Sequence, residues 1–422
     1  MRILWVKAGK ILPVDTGGKI RSYNLLRQLA ARQETVFLSY YGGARDENYE
    51  REIGEHLPGA VTLHTPSLAS SAPDYLRRLP SRAPYAVTKF TAPEVQRLLA
   101  GWLGERRFDV AVCDFLSASL NFPRELATPS VLFQHNVESA LWRRQARYEP
   151  NLVKRLVFKL EAAKMDAYER ATVGRFQHVI AVSEHDRELM SEMTDPARLT
   201  VVPTGVDLKQ YQAGAASGGG DGAAVAPQQP LVLFLGSMDW EANIDGVEYF
   251  CREIWPAVRA KVPGARFRIV GRNPHARVSK LASDSVEVTG TVPSVVEHLR
   301  EAAVFVVPLR VGGGTRLKIF EAMAAGKAVV STTIGAEGLD VRHGENILLA
   351  DDAGSFARDL VRLLGDDAER ARLERAASAL AARYDWTVIA RTFEDVLVRV
   401  AAAERGSTPL RRESPAISSV NA

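Results

Sequence analysis

VFVVPLRVGGGTRLKIFEAMAAGKAVVST, residues 304–332, reads as strand, glycine loop, helix and strand. Four apolar residues at 304–307, with no polar alternation, predict a strand buried on both faces. Gly312, Gly313 and Gly314 then remove side chains where the chain turns into a helix starting near Thr315. Leu317, Phe320 and Ala324 supply its buried stripe. Gly326 ends it, as a glycine in the left-handed region does, and 328–331 returns as the next buried strand. A strand–helix–strand unit of this kind belongs to a parallel sheet.

The same stretch carries candidate chemistry. A helix start presents free N–H groups and the positive end of a dipole, which together bind phosphate. Thr315 and Arg316 stand there. Lys318 and Glu321 are three apart and share one helix face. A cation one turn into the helix suits a diphosphate, and a carboxylate one turn deeper suits the two hydroxyls of a ribose. The plainer alternative is a packing loop followed by a solvated ion pair. Neither a Walker sequence nor a GxGxxG fingerprint is present, so ATPase and dehydrogenase mechanics do not follow.

Working outward, short apolar runs recur at 231–235, 267–270 and 286–288, and, in the first half, at 3–6, 36–40, 110–113, 131–134, 179–182 and 199–202. Helical patterns separate them. The predicted fold class is α/β: two doubly wound, Rossmann-like parallel-sheet domains facing a cleft. The Gly-, Ala- and Pro-rich run AGAASGGGDGAAVAPQQP (213–230) divides them. The expected organisation is an N-terminal domain over 1–205, a flexible linker over 206–230, a C-terminal domain over 231–385, a helix over 386–404 returning to the first domain, and a disordered tail over 405–422. Ligands of doubly wound sheets sit beyond the carboxyl ends of the strands.

Composition narrows the classes. The chain has 422 residues, 46% hydrophobic and 25% charged, with 54 basic against 50 acidic residues and a formal net charge of +4. So small a surplus, without an aromatic–basic motif, argues against nucleic-acid binding. Cys113 and Cys251 match no metal or redox spacing, and their scarcity suits a reducing compartment. No run approaches the roughly 20 apolar residues of a membrane span, so a soluble, cytoplasmic protein is expected, in contact with membrane at most through its surface.

FEAMAAGKAVVSTTIGAEGL, PTGVD at 203–207, the N-terminal PVDTGGKIR, LVLFLGSMDWEANIDGVEYF (231–250) and TGTVPSVVEHLREAAVFVVP (289–308) fall in one order along the chain. In these the sequence resembles the retaining family 4 glycosyltransferases of the GT-B fold, from Met1 to about Val400. The resemblance implies a nucleotide-diphospho-sugar donor, a glycan or glycolipid acceptor, polysaccharide or glycolipid biosynthesis, no cofactor and no metal. By position it implies that Glu321 holds the donor ribose and that Gly17 and Gly18 let the backbone approach the phosphates. It further implies that His135 faces the transferred sugar, and that Val292, with Gly271 and Arg272, lies beside the base. Two departures stand out. Gly313 occupies the place of a second family glutamate, and GSMDWEANIDG (236–246) lacks the usual Arg and Lys. Arg316, Lys318, Arg310 or Arg272 must then meet the diphosphate charge.

Read without the resemblance, Gly17-Gly18 is a turn before a helix, and Lys19 and Arg21 meet phosphate or solvent equally well. His135 ends a strand at a carboxyl edge, where a neutral imidazole can donate a hydrogen bond to a sugar; Asp15 and Glu138 are weaker candidates for acceptor contacts. The segment 142–164 interleaves Arg143, Arg144, Arg147, Lys154, Arg155, Lys159 and Lys164 with apolar residues. It reads as a core helix with a charged face, or as a surface lying on anionic membrane. Two other functions stay open: an epimerase or hydrolase acting on a nucleotide sugar, and an idle protein that only binds one.

Overall fold

The computed structural model describes residues 1–65, 72–212, 229–311 and 317–405. The chain forms two compact units: Met1–Ala181 with Asp186–Val202 and the chain from Ala390, and Val182–His185 with Pro203–Ile389.

The first unit holds β1 (Arg2–Ala8), β2 (Glu34–Tyr41), β3 (Val61–His64), β4 (Val110–Asp114), β5 (Ser130–Phe133), β6 (His178–Ala181) and β7 (Leu199–Val201). Their order is β3-β2-β1-β4-β5-β6-β7, and every strand pairing is parallel. The second unit holds β8 (Leu231–Leu235), β9 (Arg266–Val270), β10 (Val286–Gly290), β11 (Val304–Val307), β12 (Ala328–Ser331) and β13 (Leu348–Leu349). These run β10-β9-β8-β11-β12-β13, again all parallel. In each sheet the order reverses once, between β1 and β4 and between β8 and β11. Those reversals are the topological switch points, where crossovers on opposite faces leave a crevice at the strand ends.

All eleven apolar runs became strands: most are buried on both faces, while the edge strands β7 and β10 are only partly buried, and their apolar side chains fill the cores of the two units. The reading missed β3 and β13. β3 is a half-buried edge strand, VTLH, and β13 has only two residues, so neither needs a continuous apolar run.

The first residues of the linker expected over 206–230 are instead part of the second unit's packed structure. Val206 forms a parallel bridge with Asp385, its N–H donating to the Tyr384 carbonyl at 2.8 Å. Leu208–Gln212 is helical, and Tyr211 is buried in the second core. An apolar residue and an aromatic one, placed before the Gly/Ala run, have a core to join. Residues 213–228 and, apart from helical Arg405, the tail expected over 405–422 lie outside the described residues.

Helix Trp386–Arg405 supplies part of the first core. Phe393 stacks on Trp5 at 5.3 Å, and Glu394 accepts from Arg32 Nε at 2.8 Å and Gln33 Nε2 at 2.5 Å. Among the described residues, no helix is long and apolar enough to cross a membrane.

Candidate active site

At the first switch point, register pairs Lys7 at the end of β1 with Asp114 at the end of β4. Both side chains turn into the crevice. Asp114 is fully buried and accepts three bonds: from Lys7 Nζ at 3.0 Å, Trp5 Nε1 at 2.9 Å and His135 Nε2 at 2.7 Å. Lys7 Nζ also donates to Ser22 Oγ at 3.1 Å, and Ser22 Oγ donates to the Gly18 carbonyl at 2.9 Å. The helix Gly17–Ala30 is thereby tied to the two central strands. A Cβ on Gly18 would lie 4.0 Å from the His135 ring, so the glycine turn lies against the imidazole.

Phe115, directly after Asp114, has φ 78° and ψ 162°, a region that residues other than glycine avoid at a cost of about 1–3 kcal/mol. The turn persists because its N–H donates to the Phe133 carbonyl at 2.9 Å and its ring meets His135 edge-on at 5.4 Å. Strain is concentrated beside the charged cluster and offset by packing.

Burial alone would discourage ionisation of Asp114, but Lys7 and His135 hold it well below the usual carboxylate range. Burial lowers His135 to about 4, against the opposing pull of Asp114, with Lys7 and Arg21 lowering it further. His135 is therefore neutral, with one N–H. An ionised carboxylate only accepts, so that N–H sits on Nε2 and goes to Asp114. This revises the role read from sequence. His135 has no second N–H to offer a sugar; Nδ1 is an acceptor, with Arg21 Nη1 at 3.5 Å. Arg21 is itself buried and its pKa is lowered by burial to about 10. The donor groups beside the ring are the Arg21 guanidinium and the Lys7 ammonium.

Downstream, Glu169 caps the helix Glu138–Tyr148, accepting from Glu138 N and Ser139 N at 2.9 Å each. Burial, and then the neighbouring Glu169, push Glu138 up to about 7. Asp15 and Lys19 pair with each other at 2.9 Å.

The second switch point is more open. Lys318, on helix Leu317–Ala324 after β11, donates to Asn243 Oδ1 at 2.9 Å and stands 4.3 Å over the Phe234 ring. Asn243 donates on to the Ser237 carbonyl at 2.8 Å. The loops after β8 and β9 are joined by Met238 N to the Arg272 carbonyl at 2.9 Å. Their contact requires Gly271: a Cβ there would fall 1.6 Å from the Gly236 carbonyl oxygen. Exposed Arg272 donates to Ser237 Oγ at 2.9 Å, and that hydroxyl donates to Asp239 at 2.6 Å.

Glu321 is half-buried, and burial raises its pKa. Tyr211 donates a hydrogen bond to it, which together with Lys318 counteracts the rise. Lys318 and Glu321 thus share a helix but point at different partners. Arg310 is committed to Asp245, at 2.5 Å, and stands over Tyr249 at 4.5 Å. Val292 follows β10 and packs against the core. Gly326, at φ +71°, ends the helix in the left-handed region as expected. Gly312, Gly313, Gly314, Thr315 and Arg316 lie outside the described residues.

The sequence reading missed Trp5, Lys7, Asp114, Tyr211 and Asn243. Lys7 and Asp114 had a signal: each is a charge closing a strand buried on both faces, a place where a charge needs a partner.

Comparison with known proteins completes the assignment. Residues 16–210 match the family described as Glycosyltransferase Family 4, and residues 229–366 match Glycosyl transferases group 1. The chain is a group 1 glycosyltransferase of the GT-B fold. Two matched families, one on each unit, account for most of this glycosyltransferase. It is similar to the phosphatidyl-myo-inositol mannosyltransferase of Mycolicibacterium smegmatis, 26% identical over 72% of this chain and 75% of that one. It is also similar to the GDP-mannose:cellobiosyl-diphosphopolyprenol alpha-mannosyltransferase of Xanthomonas campestris, 28% identical over 54% of this chain and 59% of that one. Among solved structures, Anabaena HepE in complex with UDP-glucose superposes with a TM-score of 0.63 at 15% identity, over 94% of this chain and all of that one. That last likeness concerns the fold.

Proposed function

We propose that the enzyme takes a hexose from a nucleoside-diphosphate sugar and transfers it, with retention at the anomeric carbon and without a metal ion, to a hydroxyl of a glycan or lipid-linked acceptor. The observation that carries this reading is the second switch point. There, Lys318 and Glu321 stand one turn apart on a helix after β11, beside a backbone crossing stripped of Cβ at Gly271. Lys318 and the exposed Arg272 neutralise the diphosphate as it departs, a fixed electrostatic stabilisation that grows with leaving-group charge. Glu321 accepts from Tyr211 and keeps acceptor capacity for the ribose hydroxyls. In the first unit, the Asp114–His135–Arg21 array holds an acceptor nitrogen and a guanidinium beside the Gly17-Gly18 turn, suited to orienting the hydroxyls of the transferred sugar. The mannosyltransferase relatives make GDP-mannose the first donor to test, with UDP-glucose second.

The test is thermal unfolding with UDP, GDP, ADP and their sugar conjugates, on the wild type and on Glu321→Ala. A ligand at 100 times its Kd stabilises by about 2.7 kcal/mol. One base should raise the melting temperature of the wild type and not of the variant. Its sugar conjugate should then support transfer in the presence of a chelator, with the product anomer matching the donor. No shift with any nucleotide would overturn the donor site, and an inverted product would overturn retention.

A further inference from the structure

The first unit has a surface that the transfer reaction does not use. Helices Glu138–Tyr148 and Leu152–Arg175 pack as a hairpin whose tip projects apolar side chains into solvent. Leu152, Val153 and Leu156 are 69%, 73% and 69% exposed, and Tyr148 and Leu160 are exposed too. Of the twelve large hydrophobics exposed among the described residues, five fall within 148–160. Leu152, Leu156 and Leu160 repeat every four residues, so they form one stripe along the helix. This is a continuous patch, unlike scattered surface leucines, which need no explanation.

The charge beside it is one-sided. Over 141–160 there are six cations, Arg143, Arg144, Arg147, Lys154, Arg155 and Lys159, against Glu149 alone. Arg155 and Lys159 lie on the helix face next to the leucine stripe. With Arg143 and Arg147 of the opposite helix they line a groove of about 630 Å³, floored by Ala146, Ala162 and Ala163, with Asp166 at one side. Lys154, Arg155 and Lys159 make no ion pair among the described residues. An apolar stripe bordered by cations, on a helix that cannot span a bilayer, is the chemistry of an interfacial helix. A protein partner would need matching carboxylates; a lipid surface supplies both acyl chains for the leucines and phosphates for the groove.

We infer that the tip of this hairpin docks the enzyme on a bilayer carrying anionic lipid, with Leu152, Val153 and Leu156 inserted among acyl chains and the Arg143–Arg147–Arg155–Lys159 groove receiving lipid phosphate. The inference is independent of which donor is used, and its test reads binding, so failure of the transfer reaction leaves it intact.

The experiment is cosedimentation of the full chain with vesicles of phosphatidylcholine, alone or mixed with phosphatidylglycerol. Wild type should bind the mixed vesicles at least about tenfold more tightly than the neutral ones, and raised salt should weaken that binding. Leu152→Glu with Leu156→Glu should reduce binding by about tenfold or more, as should Lys154→Gln, Arg155→Gln and Lys159→Gln together. Both variants should keep the wild-type melting temperature, since Leu152, Lys154, Leu156 and Lys159 are exposed and Arg155 is only partly buried. Equal binding of wild type to both vesicle types, or variants that bind as wild type does, would overturn the inference. So would a concentration-dependent dimer dissolved by the leucine substitutions, which would assign the stripe to a second copy. Release by inorganic phosphate, where chloride of equal ionic strength has no effect, would assign the groove to a soluble anion and also overturn it. The first arm needs no variant, so a misfolded mutant does not shield the claim.

Discussion

At its switch point the N-terminal unit buries Asp114 and His135 and joins them to Lys7, Trp5 and Ser22, whereas the C-terminal unit keeps Lys318 and Glu321 half-buried and leaves Arg272 exposed. Both crevices arise from the same strand reversal. In the first, the cost of desolvating charge is met during folding by partners inside the protein. In the second, Lys318 and Arg272 donate to short polar partners, Asn243 and Ser237, which the proposed diphosphate would replace. The first network is complete within the protein; on the function proposed above, a ligand completes the second.

Paired substitutions test that difference most severely. Asp114→Ala leaves Lys7 buried without its counter-charge and should cost about 3–5 kcal/mol in urea unfolding of the first unit. Glu321→Gln should change stability by no more than about 1 kcal/mol, because burial already disfavours its charge, yet it should abolish the nucleotide-induced melting shift. Similar stability losses for the two would break the distinction.

A smaller effect follows from His135. Its pKa is about 4 in the folded protein and about 6.5 when unfolded. The fold binds protons less readily than the unfolded chain, so stability is full above about pH 6.5 and is lost as pH falls toward 4, by up to about 3 kcal/mol. Asp114, also held low, extends the loss further into acid. Urea midpoints across this range should fall less in His135→Gln than in wild type; parallel curves would deny the histidine this role.

Comparable in size and opposite in sign is Glu138, raised to about 7 by burial and Glu169. Its contribution is full below about pH 4.5 and lost as pH rises through 7. Glu138→Gln should therefore raise the melting temperature at pH 8 more than at pH 5, by about 2–3 kcal/mol in stability terms. An equal change at both would show that the carboxyl ionises freely.

The helix Trp386–Arg405 sharpens the contrast from another side. Phe393 stacks on the indole of Trp5, whose N–H bonds Asp114. A segment 279 residues beyond Asp114 thus braces the first site from behind, and the second site has no counterpart in sequence order.

Much of this was legible without coordinates. Short apolar runs bounded by turn residues read as strands, and strands separated by helices long enough for a crossover read as a parallel sheet. The order of the motifs gave the family. Lys318 and Glu321 were visible because a helix fixes which residues share a face. Lys7 and Asp114, by contrast, lie 107 residues apart and meet only through the register of β1 on β4. The hydrogen-bond direction of His135 was hidden for the same reason: its proton is set by Asp114, a neighbour in the sheet and remote in sequence. Tyr211 reaches Glu321 across 110 residues by way of a short helix that composition assigned to a linker. Local physics writes secondary structure, helix faces and fold class into the sequence, because those depend on neighbours a few residues away. Protonation, hydrogen-bond direction and the wiring of a buried charge depend on which strands end side by side, and only the tertiary structure decides that.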